Sequence, residues 1–337
     1  MAQDTLSKNR KGVFMTKPLR WGILGAAKFA REHMAPAMML AKNTELAALA
    51  TSSAEKAASF TALHPSLQIH SDYDSVLNDP AIDAVYIPLP NHLHVEWVKC
   101  AVEAGKHVLC EKPIAMQAGE IDELITLRDR AGVLVAEAYM IVHHPQWHYA
   151  KELVDAGEIG TVQQIDTVFS YNNAADTGNI RNRAETGGGG LRDIGVYTLG
   201  CARYVMGAEF DAFHYVDLQL ENDVDVWAGV TGRIADVRYH GVTSMRMALR
   251  QSVNIQGDQG VITLTAPFNP GVYSQAEVHL SKGDMTVKTK RFPTANHYVH
   301  QLENFQNSVT QGTAYPCPLE FSRGTQSALD RIFEMAK

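Results

Sequence analysis

Short apolar runs alternate with helical patterns along the first part of the chain. The runs read "LRWGIL" (19–24), "ELAALA" (45–50), "AVYIPL" (84–89), "HVLC" (107–110) and "VLVAE" (133–137). Between them, apolar residues recur three and four positions apart, as in "HLHVEWVKCAVEAG" (92–105). This alternation is typical of a parallel sheet with helices on both faces. It predicts an α/β fold in which residues 18–140 form a Rossmann dinucleotide-binding domain.

The pattern changes beyond about residue 159. The segments "TVQQIDTVFS" (161–170), "DVWAGVTGRI" (225–234), "VTSMRMAL" (242–249) and "VITLTAPF" (261–268) are typical of longer, partly alternating strands. Helical patterns lie near residues 190–206, 297–309 and 322–336. We therefore expect residues 141–337 to form an α+β domain for substrate binding and oligomerisation, built on a large, open, mostly antiparallel sheet. Whether the C-terminal helix packs back on the first domain stays open.

Composition and charge exclude several classes of partner. Lys and Arg number 30 against 37 Asp and Glu, for a net charge of −7. Because no basic stripe with interleaved aromatic residues is present, nucleic acid is not an expected partner. The four cysteines (Cys100, Cys110, Cys201 and Cys317) have no CxxC spacing and are expected to be reduced thiols.

No segment predicts a membrane span or a signal peptide. No apolar run approaches the roughly 20 residues that cross a bilayer. The opening segment "MAQDTLSKNRKGVFMTKP" lacks the apolar core of a signal peptide. We expect a cytoplasmic protein without membrane contact. Met15 is an alternative start, because the periodic pattern begins only after it.

A glycine-led turn follows the first predicted strand. Gly25-Ala26-Ala27-Lys28-Phe29-Ala30 fits the frame GxGxxG with alanine at its second and third glycine positions. In that frame the first glycine permits the tight turn and the following helix N-terminus faces the pyrophosphate. Gly25, Ala27, Lys28 and Phe29 are therefore candidate cofactor-binding residues.

The end of the second predicted strand bears on the choice of cofactor. NAD-binding folds usually carry an acid there for the ribose 2′-hydroxyl, whereas this chain has Thr51-Ser52-Ser53. Ser52, Ser53 and Lys56 could accept a 2′-phosphate, which favours NADP and leaves NAD possible. The alternative is that Ser53 caps a helix that carries Lys56 on its surface.

Two further segments place charged or phenolic groups where a ligand could bind. In "LCEKPI" (109–114), Glu111 and Lys112 directly follow an apolar strand, and such strand ends line the ligand crevice of α/β proteins. The alternative is the solvated start of a loop. In "GGGGLRDIGVY" (187–197), Asp193 and Tyr197 share one face if the segment is helical. Alternatively, Asp193 stabilises a helix N-terminus and Tyr197 is a packing aromatic.

Taken together, the motifs resemble the Gfo/Idh/MocA oxidoreductase family. The resemblance rests on the Gly25 turn, "PNHLHVE" (90–96), "AGKHVLCEKP" (104–113), "EAYMIVHHPQ" (137–146) and "GGGGLRDIGVY", in that order. Tyrosine in the DxGxY motif is similar to the branch of dimeric dihydrodiol dehydrogenases, xylose dehydrogenases and glucose-fructose oxidoreductase, whereas inositol dehydrogenases carry histidine. That branch often has arginine where this chain has Val142.

The resemblance implies roles for particular residues. Lys112 and Tyr197 would be catalytic and Asp193 would assist. Pro90, Asn91, His94 and Glu111, with Lys112, would line the cofactor. The resemblance also implies a homodimer or homotetramer.

These residues suggest a hydride-transfer mechanism. A nicotinamide carries only the hydride, so another group must manage the proton of the alcohol or carbonyl. A tyrosine titrates near pH ~10, and we expect Lys112 to favour the phenolate of Tyr197. The predicted activity is an NAD(P)-dependent oxidoreductase acting on a secondary alcohol or carbonyl of a sugar, polyol or trans-diol.

The expected substrate contacts form a polar set suited to a hydroxylated ring. They are His144, Trp147, Tyr171, Asn172, Arg181 and Arg183. The run "HHPQWH" (143–148) matches no standard ligand spacing, so no metal is expected. Two alternatives stay open on the same fold: an NAD-assisted glycosidase, and a dinucleotide-sensing regulator without turnover. The Lys112 and Tyr197 pair argues against the regulator.

Overall fold

The computed structural model describes residues 17–337. The alternative start at Met15 lies outside these residues. A first sheet has six parallel strands in the order β3-β2-β1-β4-β5-β6. The strands are β1 (Leu19–Leu24), β2 (Thr44–Ala50), β3 (Gln68–His70), β4 (Ala84–Ile87), β5 (His107–Cys110) and β6 (Val135–Glu137). This order confirms the predicted Rossmann fold.

Helices cover this sheet because its strands are apolar on both faces. Trp21, Ile23 and Leu24 of β1 are fully buried, as expected for a central parallel strand. The short strand β3 was not predicted, because its three residues are mostly exposed and carry no apolar run. The helices are α1 (Ala35–Leu40), α2 (Ala54–Leu63), α3 (Tyr73–Leu77), α4 (His94–Glu103) and α5 (Ala118–Ala131).

A second sheet of eight strands follows in the order β14-β13-β12-β11-β7-β10-β9-β8. Only β7 and β10 pair in parallel, so the prediction of a mostly antiparallel sheet is confirmed. The strands are β7 (Val162–Asn172), β8 (Phe210–Glu221), β9 (Val224–Ile234), β10 (Val237–Ser244), β11 (Arg246–Gly257), β12 (Gly260–Leu264), β13 (Glu277–Lys282) and β14 (Val287–Arg291).

One predicted strand was wrong. The segment "VTSMRMAL" does not form a single strand, because β10 ends at Ser244 and β11 begins at Arg246. Between them Met245 is fully buried, and its backbone N–H donates to the carbonyl of Val226. The chain therefore passes from one strand into the next at a fully buried residue.

Four helices belong to the second part of the chain. They are α6 (Pro145–Asp155), α7 (Val196–Met206), α8 (His297–Gln311) and α9 (Leu319–Met335). Helix α9 packs on α5 of the first domain, where Arg128 pairs with Glu320 at 2.8 Å and Arg323 with Asp122 at 2.7 Å. Among residues 17–337, no helix combines the length and apolar character needed to span a membrane.

The second sheet carries apolar side chains into solvent. Tyr215 and Leu220 on β8, Met247 and Leu249 on β11 and Val287 on β14 are all exposed. Helix α7 contacts β7, β9 and β10 in the middle of the same sheet. The sheet thus has helical cover over its centre and apolar groups left in solvent.

Candidate active site

The glycine turn after β1 borders a cleft at the carboxyl ends of the parallel strands. Gly25 has φ +105°, a conformation that residues with a side chain rarely adopt. A Cβ at this position would lie 2.7 Å from Cδ2 of Leu89, the residue that follows β4 by two positions. The turn therefore lets the backbone pass close to the next strand end, and Ala27, Lys28 and Phe29 line the cleft beyond it.

Glu111 and Lys112 lie at the end of β5, inside this cleft. Tyr86 Oη on β4 donates to Glu111 Oε1 at 2.5 Å. Burial raises the pKa of the Glu111 carboxyl above its ordinary value, although the Lys112 ammonium opposes the shift. The peptide bond between Lys112 and Pro113 is cis. The alternative of a solvated loop start is therefore not what the structure shows.

The Asp193 carboxylate binds the charged groups of the cleft. Lys112 Nζ donates to its Oδ1 at 2.9 Å and to its backbone carbonyl at 2.8 Å. Arg181 Nε lies 2.8 Å from Oδ1, and Tyr171 Oη donates to Oδ2 at 2.7 Å. Burial alone would raise the pKa of this carboxyl, but the Arg181 and Lys112 cations together hold it below its ordinary value. Asp193 is therefore an anion bound to both cations.

Tyr197 lies beside this group on the first turn of α7. A π-helical turn over Leu191–Gly195 leads into the helix, so Asp193 and Tyr197 both face the cleft. Lys112 Nζ is 5.2 Å from the centre of the Tyr197 ring, and Tyr197 Oη contacts Met140 Sδ at 3.4 Å. Burial first, and Glu111 next, raise the pKa of the phenol well above its ordinary value. The structure therefore favours the protonated phenol, where the sequence interpretation expected Lys112 to favour the phenolate.

These residues enclose a cavity of about 260 Å³. Residues from both domains line it, as expected of a ligand site at a domain junction. Its lining comprises Ala27, Lys28, Phe29, Pro88, Leu89, Asn91, Glu111, Lys112, Met140, Ile180, Arg181, Thr186, Gly188, Gly189, Asp193, Tyr197 and Asn269. The glycine run before α7 thus forms one wall, opposite the strand ends.

Of the three cofactor contacts predicted after β4, which are Pro90, Asn91 and His94, only Asn91 lines the cavity. Asn91 lines the cavity, and its Nδ2 donates to the carbonyl of Gly187 at 2.8 Å. His94 is fully buried, with its ring nitrogens 2.7 Å from the carbonyls of Pro113 and Leu89, and burial lowers its pKa to about 4. Pro90 precedes the short turn that leads into α4. His94 therefore joins two strand-end loops and does not itself line the cavity.

The residues predicted to contact the ribose of the cofactor lie at the end of β2, outside the cavity lining. Ser53 is the N-cap of α2, where its Oγ accepts from the Lys56 N–H at 3.3 Å. Ser52 and the Lys56 side chain are exposed. The capping role that the sequence left open for Ser53 is present. Its hydroxyl is engaged with the backbone, whereas Ser52 and Lys56 face solvent.

The predicted substrate contacts are only partly brought together. Tyr171 and Arg181 bind Asp193 at the cavity, whereas Arg183 pairs with Glu185 at 3.1 Å on the surface and Asn172 is exposed.

His144 and Trp147 do not reach the cavity, and this is a correction to the sequence interpretation. Both side chains are fully buried. His144 caps α6, and Trp147 Nε1 donates to the carbonyl of Pro267 at 2.8 Å. Both side chains therefore make their hydrogen bonds within the core and not with a ligand. A buried indole N–H needs a hydrogen-bond acceptor wherever it lies.

Sequence reasoning missed six side chains of the cavity, which are Pro88, Leu89, Met140, Ile180, Thr186 and Asn269. Met140 contacts the Tyr197 hydroxyl, and Asn269 lies in the loop that follows β12. Met140 falls inside the quoted motif "EAYMIVHHPQ" but carries no polar signal. Asn269 belongs to no periodic segment, so only the tertiary fold reveals it.

Within residues 17–337, neither another cavity nor a group of metal-binding side chains competes with this site as the active site. A cavity of about 540 Å³ opens on the far side of Gly188, between β9 and the end of α9, but no residue from a parallel strand end lines it. Within residues 17–337, no group of three or more His, Cys, Asp or Glu side chains is arranged to hold a metal ion.

Comparison with known families matches both halves of the chain. Residues 19–139 match the model "Oxidoreductase family, NAD-binding Rossmann fold", and residues 147–263 match the "GFO/IDH/MocA C-terminal domain". These matches lie on the two sheets described above.

Individual relatives are similar over nearly their whole length. A dTDP-3,4-didehydro-2,6-dideoxy-alpha-D-glucose 3-reductase of Saccharopolyspora spinosa is 33% identical, over 90% of this chain and 91% of its own. D-xylose 1-dehydrogenase (NADP(+)) 2 of Haloferax volcanii is 29% identical, over 95% and 98%. The crystal structure of a 3-ketoreductase from Actinomadura kijaniata with NADP and TDP-benzene has a TM-score of 0.87 at 29% identity, over 94% and 97%. With two matching domain models and relatives of this extent, the chain belongs to the Gfo/Idh/MocA family of oxidoreductases.

Proposed function

We propose that this protein transfers a hydride between NADP(H) and a carbonyl or secondary alcohol of a sugar, polyol or trans-diol. Tyr197 exchanges the proton, and Lys112 and Asp193 hold the reacting oxygen and its surroundings. The observation that carries the proposal is the buried Tyr197 phenol beside the Lys112–Asp193 ion pair, whose N–O distance is 2.9 Å. The named relatives, a sugar-nucleotide 3-reductase and a xylose dehydrogenase, support a carbohydrate substrate.

The residues around the cleft fit a dinucleotide. The positive φ of Gly25 and its close approach to Leu89 suit a backbone turn against a pyrophosphate. Asn91, Glu111 and Lys112 would hold the nicotinamide end. When bound, the cofactor supplies or accepts the hydride.

Tyr197 is suited to donate a proton to a carbonyl. Its raised pKa keeps the phenol protonated at neutral pH. As hydride reaches the carbonyl carbon, negative charge develops on the oxygen, and the phenol proton transfers to it to give the alcohol. The Lys112 ammonium, 5.2 Å from the ring centre, then steadies the phenolate until solvent returns the proton. Oxidation runs through the same atoms in reverse.

Asp193 has a positioning role in this scheme. It accepts from Lys112, so the ammonium is held at one place in the cleft. It also binds Arg181 and Tyr171, which fixes the side chains next to the substrate. Fixed charges that need not reorganise during the reaction are an efficient way to stabilise a transition state.

The first prediction concerns Tyr197. Tyr197→Phe is expected to lower kcat by a factor of about 100 or more, the usual scale for a lost acid-base group, with little change in NADPH affinity. The matched control is Tyr139→Phe, because Tyr139 is a buried phenol stacked on Tyr197, with ring centres 5.6 Å apart, but does not line the cavity. The measurement is steady-state turnover with NADPH binding in parallel. Turnover in Tyr197→Phe equal to the wild type would refute the assignment.

Cofactor choice gives the second prediction. No acid ends β2 to repel a 2′-phosphate, and Ser52 and Lys56 lie exposed there. Lysine is a flexible point charge without the bidentate geometry of arginine, so we expect a preference for NADP of about tenfold to a hundredfold, roughly 1.4 to 2.8 kcal/mol. Lys56→Ala should lower kcat/KM for NADP and leave that for NAD unchanged. A strong preference for NAD would contradict the proposal.

Assembly gives the third prediction. The exposed apolar residues of the second sheet, except Leu249, which lines a cavity next to the active site, are expected to pack against another copy of the chain, as a dimer or tetramer. Sedimentation velocity at micromolar concentration should show that species. Met247→Glu on β11 should weaken it, whereas Met285→Glu, at a turn outside the strands, should not. A wild-type protein that sediments only as a monomer would defeat this prediction.

A further inference from the structure

A second cavity of about 290 Å³ adjoins the catalytic cavity. The two share Phe29, Arg181, Asp193, Tyr197 and Asn269 in their linings. A molecule that places its reacting carbon at Tyr197 would therefore reach the second cavity with its remaining atoms. We call this space the outer cavity.

Six aromatic side chains line the outer cavity. Besides Phe29, they are Phe169, Tyr171, Tyr197, Tyr273 and Tyr298. Phe29 meets Tyr298 edge to face with ring centres 5.6 Å apart, so the first domain and α8 contribute adjoining rings. Such flat, stiff side chains bury large apolar areas at small entropic cost. They suit the carbon face of a sugar ring or an aromatic substituent.

Arg181 is the one guanidinium or ammonium group that lines the outer cavity among the residues that the structure describes. Its ionisable lining consists of Arg181, Asp193 and His33, besides the phenols. Arg181 is paired with Asp193 at 2.8 Å. Burial lowers the pKa of His33, against a smaller opposing effect of Glu32, so this imidazole is neutral at pH 7. A diphosphate is bound by several cations or by helix N-termini, whereas this lining supplies a single guanidinium whose Nε is already bound to Asp193.

Asn269 lies where the two cavities meet, and a buried glutamine holds it there. Gln251 Nε2 donates to Asn269 Oδ1 at 2.9 Å, and Gln251 Oε1 accepts from the backbone N–H of Asn269 at 3.0 Å. Gln251 itself is only 4% exposed. The Asn269 NH₂ group lies beside the Tyr298 phenol oxygen, and its second N–H is left as a donor for a substrate hydroxyl.

We infer that the outer cavity is a second substrate subsite, which takes an uncharged ring attached to the reacting sugar, and that Asn269 orients the substrate at the junction. The inference rests on the proposed function and names its substrate class. An uncharged glycoside or disaccharide is the substrate, and a nucleoside-diphosphate sugar is not. This chain would then differ in substrate from the relatives named as dTDP-sugar reductases.

Binding to the protein saturated with NADPH tests the inference without requiring turnover. The probes are phenyl β-glycosides of D-glucose, D-galactose and D-xylose, each compared with its parent sugar, and thymidine diphosphate. By calorimetry, at least one phenyl glycoside should bind about tenfold or more tightly than its parent sugar, the scale of one buried ring contact. Thymidine diphosphate should neither bind nor displace it. Tighter binding of thymidine diphosphate, or equal binding of every glycoside and its parent, would overturn the inference.

Variants that touch only the outer cavity sharpen the test. Tyr273→Ala should cost the glycoside about tenfold in affinity and leave the parent sugar unchanged. Met285→Ala, at an exposed turn outside the strands and outside both linings, is the control. Val272→Lys places a cation at the outer lining and should create affinity for thymidine diphosphate, whereas Met285→Lys, at the exposed turn between β13 and β14, should not. If Tyr273→Ala binds the glycoside like the wild type, the subsite is refuted.

Asn269→Ala addresses the junction separately. It should raise KM for sugar and glycoside alike by about tenfold, the loss of one hydrogen bond, with kcat nearly unchanged. An unchanged KM would refute the role of Asn269. Because binding is measured apart from turnover, glycoside binding without hydride transfer would overturn only the proposed function. Turnover of parent sugars without tighter glycoside binding would overturn only the subsite.

Discussion

The site depends on the interactions of one buried carboxylate, that of Asp193. It forms ion pairs with Lys112, from the end of β5, and with Arg181, from the second domain. It also accepts a hydrogen bond from Tyr171. Buried charges are costly unless they are paired and hydrogen-bonded, and removing one partner of a buried pair typically costs about 3 to 5 kcal/mol. The two domains are therefore joined at the point where the reaction would occur, and any displacement between them separates charges.

The same interaction sets the chemistry of the neighbouring groups. Asp193 pairs with both Lys112 and Arg181, so these three side chains together carry one net positive charge next to Tyr197. Burial and Glu111 then keep the phenol protonated, so the resting protein holds a proton donor in place. The same carboxylate binds Arg181, which is the one guanidinium or ammonium group of the outer cavity lining in the described part of the chain. Asp193 therefore connects the proton donor to the choice of an uncharged substrate.

Much of the fold could be predicted because buried strands appear in the sequence as apolar runs. Five of the six strands of the first sheet follow such runs, and only the exposed three-residue strand β3 lacks one. In the second sheet, β8 and β14 are the edge strands, and their largely exposed faces carry polar residues that hide the strand pattern. Edge strands lack the burial that makes a central strand recognisable.

The site was predictable where residues follow a strand end and obscure where tertiary contacts decide. Lys112 and Glu111 follow β5, so their place in the crevice follows from topology. His144 and Trp147 belong to a polar and aromatic segment that suits either a cavity or a core. The Trp147 indole donates a hydrogen bond to the carbonyl of Pro267, which is distant in sequence, and this bond holds the ring in the core. Asn269 is its counterpart: a loop residue without any pattern, which Gln251 holds at the junction of two cavities.

The most direct test of hydride transfer assisted by the Lys112–Asp193 pair is nicotinamide absorbance. NADPH-loaded protein is mixed with uncharged keto sugars, with and without a glycosidic ring, and wild type is compared with Lys112→Ala and with the surface control Lys99→Ala. The account predicts NADPH oxidation by wild type and Lys99→Ala, and a rate at least about 100-fold lower in Lys112→Ala. NADPH binding without oxidation by any sugar, cleavage of aryl glycosides instead, or an undiminished rate in Lys112→Ala would contradict it.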